Sequence, residues 1–137
     1  MSRVEHHASS APQGPLLLAL VDALAIAAFV LAGIHAHQEG SIAELFARNA
    51  VPLLVCWFGA ALVFHTYRNP GASTLLRTWA ASTPIALLVR TALVGSPTGG
   101  RLVVFLVVAM VFTLLFLLIG RASATFVARM IDARSAA

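Results

Sequence analysis

Four stretches of this chain are apolar for long enough to cross a lipid bilayer, and no other feature restricts its fold as much. A helix spanning a hydrocarbon core of about 30 Å needs roughly 20 mostly apolar residues. The runs lie near Leu16–Ala36, Ala50–Thr66, Thr74–Val94 and Leu102–Gly120. Unpaired backbone polar groups are costly in lipid, so each run must be a helix or part of a closed barrel. Near-continuous apolarity is not the alternating pattern of barrel strands. The expected fold is therefore an all-α integral membrane protein, a bundle of four transmembrane helices with short loops over 15–121. A loose N-terminus is expected over 1–14 and an amphipathic or loose tail over 122–137.

Composition supports the same reading. Hydrophobic residues make up 60% of the 137 and charged ones only 10%, against about 25% charged in a soluble domain. All nine basic residues are arginines, and they stand singly, mostly at the ends of apolar runs. That spacing suits anchoring and orientation, and it lacks the basic patch with interleaved aromatics that nucleic-acid binding needs. One cysteine, Cys56, excludes an internal disulfide and a cysteine-rich metal site. The first run is too long for a signal-peptide core and carries Asp22, so a retained helix is expected.

Between the runs, Ser41 with Glu44 makes a capping-box pattern, and Ile42, Leu45 and Phe46 share a face, which predicts a short interfacial helix. Pro52 reads as a residue near the start of the second span. Asn69, Pro70 and Gly71 predict a turn, with Ser73 as the following cap. Beyond Gly120, Phe126, Val127, Met130 and Ile131 fall on one face and Arg129, Asp132 and Arg134 off it, as in a helix lying on a membrane surface. Four spans place both termini on one side. That side carries Arg3, Arg68, Arg77, Arg121, Arg129 and Arg134, and the other only Arg48 and Arg101. The positive-inside rule then makes both termini cytoplasmic, with the chain in the plasma membrane.

Ionisable groups within such runs are expensive, which makes each a site hypothesis. Arg90 sits late in the third run. It either snorkels to the nearer interface or faces the bundle, where Glu39, Glu44, backbone carbonyls or an anionic ligand group could accept its hydrogen bonds. The lean of helical side chains toward the N-terminus favours the interior. Pro84 is expected to free the carbonyl of Ala80 beside Ser82 and Thr83, giving a local polar spot. Asp22, about two turns into the first run, has His65, Arg68, Arg77 and the indole of Trp79 as expected partners, and serves either as a structural staple or as a proton or cation site. In "HAHQE", His35, His37 and Glu39 would share a side only if extended; on a helix they diverge and bind no metal. Small residues recur at four-residue steps, as Ala19, Ala23 and Ala27, and again as Ala28 and Ala32, a pattern that brings helices close in lipid.

With Asp22, Phe29, Gly33, His35, Pro52, Trp57, Trp79, Pro84, Arg90, Phe105, Gly120 and Arg121 in this order, the chain resembles the small membrane family catalogued as domain of unknown function 3054. The likeness spans about Leu16–Arg121. It departs at Ile34, where the family pattern has a basic residue before the histidine. The resemblance implies a four-span membrane protein and brings no activity, cofactor or substrate with it.

No nucleophile with a base, phosphate loop or pair of close carboxylates is present, so no enzyme, cofactor or metal is expected. Two readings follow. One is a binding or transport module in which Arg90 recognises an anionic small molecule, with dimerisation to enclose a path. The other is an accessory subunit packing against another membrane protein within the lipid bilayer.

Overall fold

The computed structural model describes residues 14–37 and 41–135, the His37 side chain aside. The N-terminal segment expected to be loose lies outside these residues except for Gly14, as does Glu39. Four α-helices follow in order, α1 (Pro15–His37), α2 (Ile42–Val63), α3 (Ala72–Val94) and α4 (Gly100–Ser135). Among the described residues α1 and α3 each pack against α2 and α4, and neither diagonal pair touches. The helices therefore sit at the corners of a square.

Three of them, α1 over Pro15–Ala36, α2 and α4, are long and apolar enough to cross a membrane. The expected third span does not qualify by composition. Helix α3 carries Arg77, Arg90 and a run of hydroxyl residues, and it buries Thr78, Ser82 and Thr83. What the structure establishes is a four-helix fold with three helices of membrane-spanning character. Large apolar side chains such as Leu24, Leu31, Val55, Leu62, Val107, Val111 and Ile119 point outward and are exposed, an arrangement compatible with a lipid surround.

Three helix limits differ from those the sequence suggests. The segment expected as a separate interfacial helix is the first part of α2, so Pro52 lies in mid-helix. It removes one hydrogen bond, to the carbonyl of Arg48, and the helix continues, as packed membrane helices allow. Ser41 takes the N-cap position but its side chain makes no cap hydrogen bond. At α3 the N-cap is Gly71 rather than Ser73, and Thr74 Oγ1 accepts a hydrogen bond from the Gly71 N–H at 3.1 Å. The tail expected as a separate element is the continuation of α4, which runs unbroken to Ser135. Phe126, Val127, Met130 and Ile131 are all exposed on it.

Helix α2 ends in a Schellman motif. The N–H of Thr66 reaches the carbonyl of Ala61, that of His65 reaches Leu62, and His65 takes the left-handed conformation at φ 53°.

The buried stripe of α1 is Leu18, Asp22, Ala25, Ile26 and Val30. Of the predicted alanine rows, Ala19, Ala23 and Ala27 are partly buried beside this stripe, while Ala28 and Ala32 are exposed. The close approach is supplied by Gly120 of α4. A Cβ there would lie 3.2 Å from Ala25 Cβ and 3.4 Å from Val21 Cγ1. One turn away from this contact Phe29 and Phe116 meet edge to face, at 6.1 Å between centroids.

Candidate functional site

Polar side chains gather at both ends of the square. At one end Asp22 is wholly buried and receives Arg121 in a bidentate pair, Nε to Oδ1 at 2.8 Å and Nη2 to Oδ2 at 2.7 Å. The hydroxyl of Tyr67, in the α2–α3 loop, also donates to Oδ2 at 3.0 Å, and it accepts from the indole N–H of Trp57 at 3.0 Å. Burial, with Asp22 alongside, pushes the Tyr67 phenol above its ordinary value. Thr66 and Thr78 share a buried hydroxyl hydrogen bond between the same loop and α3. Every oxygen of Asp22 is thus occupied by donors from α4 and the loop, an arrangement that ties α1, α2, the loop and α4 together.

The expected partners of Asp22 are corrected by this geometry. His65 is exposed and serves as the left-handed stop of α2, Arg68 and Arg77 are exposed, and the Trp79 indole donates to the Met110 carbonyl of α4 at 3.1 Å. The actual partners, Arg121 and Tyr67, lie 99 and 45 positions away in sequence. No local signal marks either, although the order of Gly120 and Arg121 is part of the family pattern.

At the opposite end, Arg90 projects from α3 to neighbours on both sides. Its Nε donates to Asn49 Oδ1 of α2 at 2.9 Å, its Nη1 to the Ser96 carbonyl at 2.7 Å, and its guanidinium lies 5.1 Å from the centroid of the Phe105 ring on α4. Asn49 is itself held by donating to the Leu45 carbonyl at 2.6 Å. Sequence reasoning missed Asn49 because an amide in the first half of α2 reads as part of a polar connection. The terminal nitrogen reaches past the end of α3 to Ser96, not toward the bundle centre as side-chain lean alone would direct it. Glu44, one of the expected acceptors, is exposed and makes no ion pair among the described residues.

Arg90 lines a cavity of about 970 Å³ to which all four helices contribute. Its rim carries Arg48 and Arg101 as well, and no acidic side chain is among its described lining residues. Below the arginines the walls are apolar, with Val30 and Phe29 of α1, Leu53 of α2, Leu87 of α3 and Val108 of α4. A guanidinium has five N–H donors, and the protein engages two of those on Arg90 among the described residues. The remainder, with two further cations at the rim, make this end electropositive. Deeper in α3, the hydroxyls of Ser82 and Thr83 are buried without a hydrogen-bond partner among the described residues, next to Pro84, through which the helix continues.

His35 is exposed on the last turn of α1, and the helical backbone continues through His37. The metal-binding arrangement of "HAHQE" needed an extended segment there. Gln38 and Glu39 lie outside the described residues.

The order of these residues along the chain is that of a known sequence family, described as protein of unknown function (DUF3054), whose signature matches residues 19–124. The chain belongs to this family. The matched region contains the Asp22–Arg121 pair, Tyr67, Arg90, all of α2 and α3 and most of α1 and α4. No curated protein and no solved structure matches it. DUF3054 membership therefore identifies relatives and supplies no activity.

Proposed function

We propose that this DUF3054 protein is a non-catalytic binding or transport module of the membrane that holds the anionic group of a small molecule at Arg90. The observation that carries the reading is the cavity beneath Arg90, whose charged lining among the described residues is three arginines and no carboxylate. Charge-assisted hydrogen bonds to a guanidinium are strong and geometrically selective. Arg90 is pre-positioned for them by Asn49 and Ser96, so little side-chain entropy remains to be lost on binding.

In this reading α3 crosses the membrane with the other three helices. Its 23 residues reach about 34 Å, and its polar side chains Thr78, Ser82 and Thr83 face the bundle and not lipid. Four crossings put both termini on one side, and the distribution of arginines makes that side the cytoplasm of a plasma-membrane protein. The Asp22–Arg121 pair, at the cytoplasmic end, is a structural clamp.

A comparison of native mass spectra of wild type and Arg90→Ala, gently extracted in detergent, tests the proposal. Wild type should retain a discrete anionic adduct that the variant loses while keeping its helical circular dichroism. A bare wild-type protein would sink the reading. One that retains only another polypeptide would favour the accessory-subunit alternative, for which the long exposed apolar side of α4 offers a surface.

A further inference from the structure

The cavity under Arg90 changes character along its depth, and one of its walls is also an outer surface. Arg48, Arg90 and Arg101 stand at one end, while the rest of the lining is dominated by aliphatic and aromatic side chains. Val104 and Val108 of α4 line the cavity and are at the same time exposed on the outside of the bundle. Gly33 of α1, which offers no side chain, lines the same region and is exposed too. The cavity thus reaches the surface along the first turns of α4, where that surface is apolar. In a bundle surrounded by lipid this opening faces acyl chains. A small hydrophilic anion would leave the apolar length of the cavity unfilled, and a neutral hydrocarbon would leave the arginines unpaired.

We infer that the ligand is an anionic amphiphile, its phosphate or carboxylate head held by Arg90 with Arg48 and Arg101, and its hydrocarbon chain laid along Leu53 and Leu87 toward the opening at Val104 and Val108. This inference rests on the anion-binding reading and narrows it to a chemical class. The cavity volume of about 970 Å³ is near the upper end of ligand pockets, which run from about 300 to 1,000 Å³. A head group with a single chain fits within that volume. The ligand has one chemistry and two sources, a lipid of the surrounding bilayer or a free single-chain amphiphile.

The test uses the full chain in neutral detergent and four probes, namely hexadecyl phosphate, phosphatidic acid, hexadecanol and inorganic phosphate, with bound stoichiometry read by native mass spectrometry. The expected result is one hexadecyl phosphate or phosphatidic acid per protein, with neither hexadecanol nor inorganic phosphate retained. Preference for phosphatidic acid identifies a bilayer lipid, and preference for hexadecyl phosphate a free amphiphile. Arg90→Ala should weaken binding about tenfold or more, the size of one lost charge-assisted hydrogen bond. Should that variant not fold, Arg48→Ala and Arg101→Ala, both at exposed positions, should each still weaken it severalfold. Inorganic phosphate bound as tightly as hexadecyl phosphate would overturn the amphiphile and leave the anion site standing. Retention of no phosphate-bearing probe would overturn both, and undiminished binding by all three folded variants would overturn the head-group placement.

Discussion

Removing the charge of Asp22 should cost this protein a large part of its stability, and the structure says how the loss divides. Asp22 is 0% exposed and the Arg121 side chain 14%, so the pair is desolvated on one side and only slightly wet on the other. Three hydrogen bonds of 2.7 to 3.0 Å end on its carboxylate. Breaking one partner of a buried pair costs about 3 to 5 kcal/mol, because the survivor keeps its desolvation penalty without compensation. Asp22→Asn retains shape and one acceptor, and leaves a guanidinium that can turn toward solvent, so the lower figure of about 3 kcal/mol applies. Arg121→Gln strands a carboxylate that has only the Tyr67 hydroxyl for support, so it should approach the upper figure of about 5 kcal/mol. Once one partner is gone the second has little left to lose. The double variant should therefore be about 2 to 3 kcal/mol less destabilised than the sum of the singles. The assay is reversible unfolding of the four proteins by SDS titration in mild detergent, followed by far-ultraviolet circular dichroism. Additive single effects, or singles costing under about 1 kcal/mol as in an exposed ion pair, would refute the assignment of this pair as a buried clamp.

Three further outcomes follow from particular contacts. At Gly120, where a Cβ already meets Ala25 at 3.2 Å, the series Gly120→Ala, Gly120→Val, Gly120→Leu should destabilise progressively. The larger two should cost about 1 to 3 kcal/mol by overpacking, read by the same SDS titration; equal stability across the series would mean that α1 and α4 do not approach this closely. His65→Gly should stabilise by about 1 kcal/mol, since the left-handed conformation of the α2 stop costs an L-residue about that much; a loss of stability would show that the imidazole makes a contact of its own. Tyr67 is the single tyrosine, so tyrosinate absorbance reports it alone. Its phenol is held above the ordinary value, so absorbance should stay low about one pH unit above the usual midpoint near 10 and rise only as the fold is lost. A folded-state pKa above the unfolded one means this contribution is present below about pH 10 and disappears as pH climbs through the folded value. Titration at the ordinary midpoint in the folded protein would contradict the Tyr67–Asp22 hydrogen bond.

Helix existence was legible in the sequence because apolar runs of sufficient length leave few alternatives. Helix limits were less so. Glu44, Arg48 and Asn49 lower local hydropathy without interrupting α2, and Pro52 looks like a beginning although one lost hydrogen bond does not end a packed helix. In α3 the hydroxyls of Thr78, Ser82 and Thr83, which weaken its membrane-spanning character, belong to side chains that turn inward, a distinction that composition cannot encode. Intramembrane charges marked Arg90 and Asp22 as places to look. Their partners were not legible, because Arg121, Tyr67, Asn49 and Ser96 reach them through tertiary geometry set by the square of helices and by the glycine at position 120.

The unbroken run of α4 has a mechanical consequence. Arg121 pins this rod to α1 sixteen positions from Phe105 at the cavity, about 24 Å, and fourteen positions from Ser135 on its other side, about 21 Å. A rigid body held at such a fulcrum is a lever with nearly equal arms. A tilt that widened the gap beside Val104 by a few ångström would swing Ser135 nearly as far in the opposite direction, and Met130 and Ile131 about half as far, so the far tip would register what happens at the arginine-lined mouth.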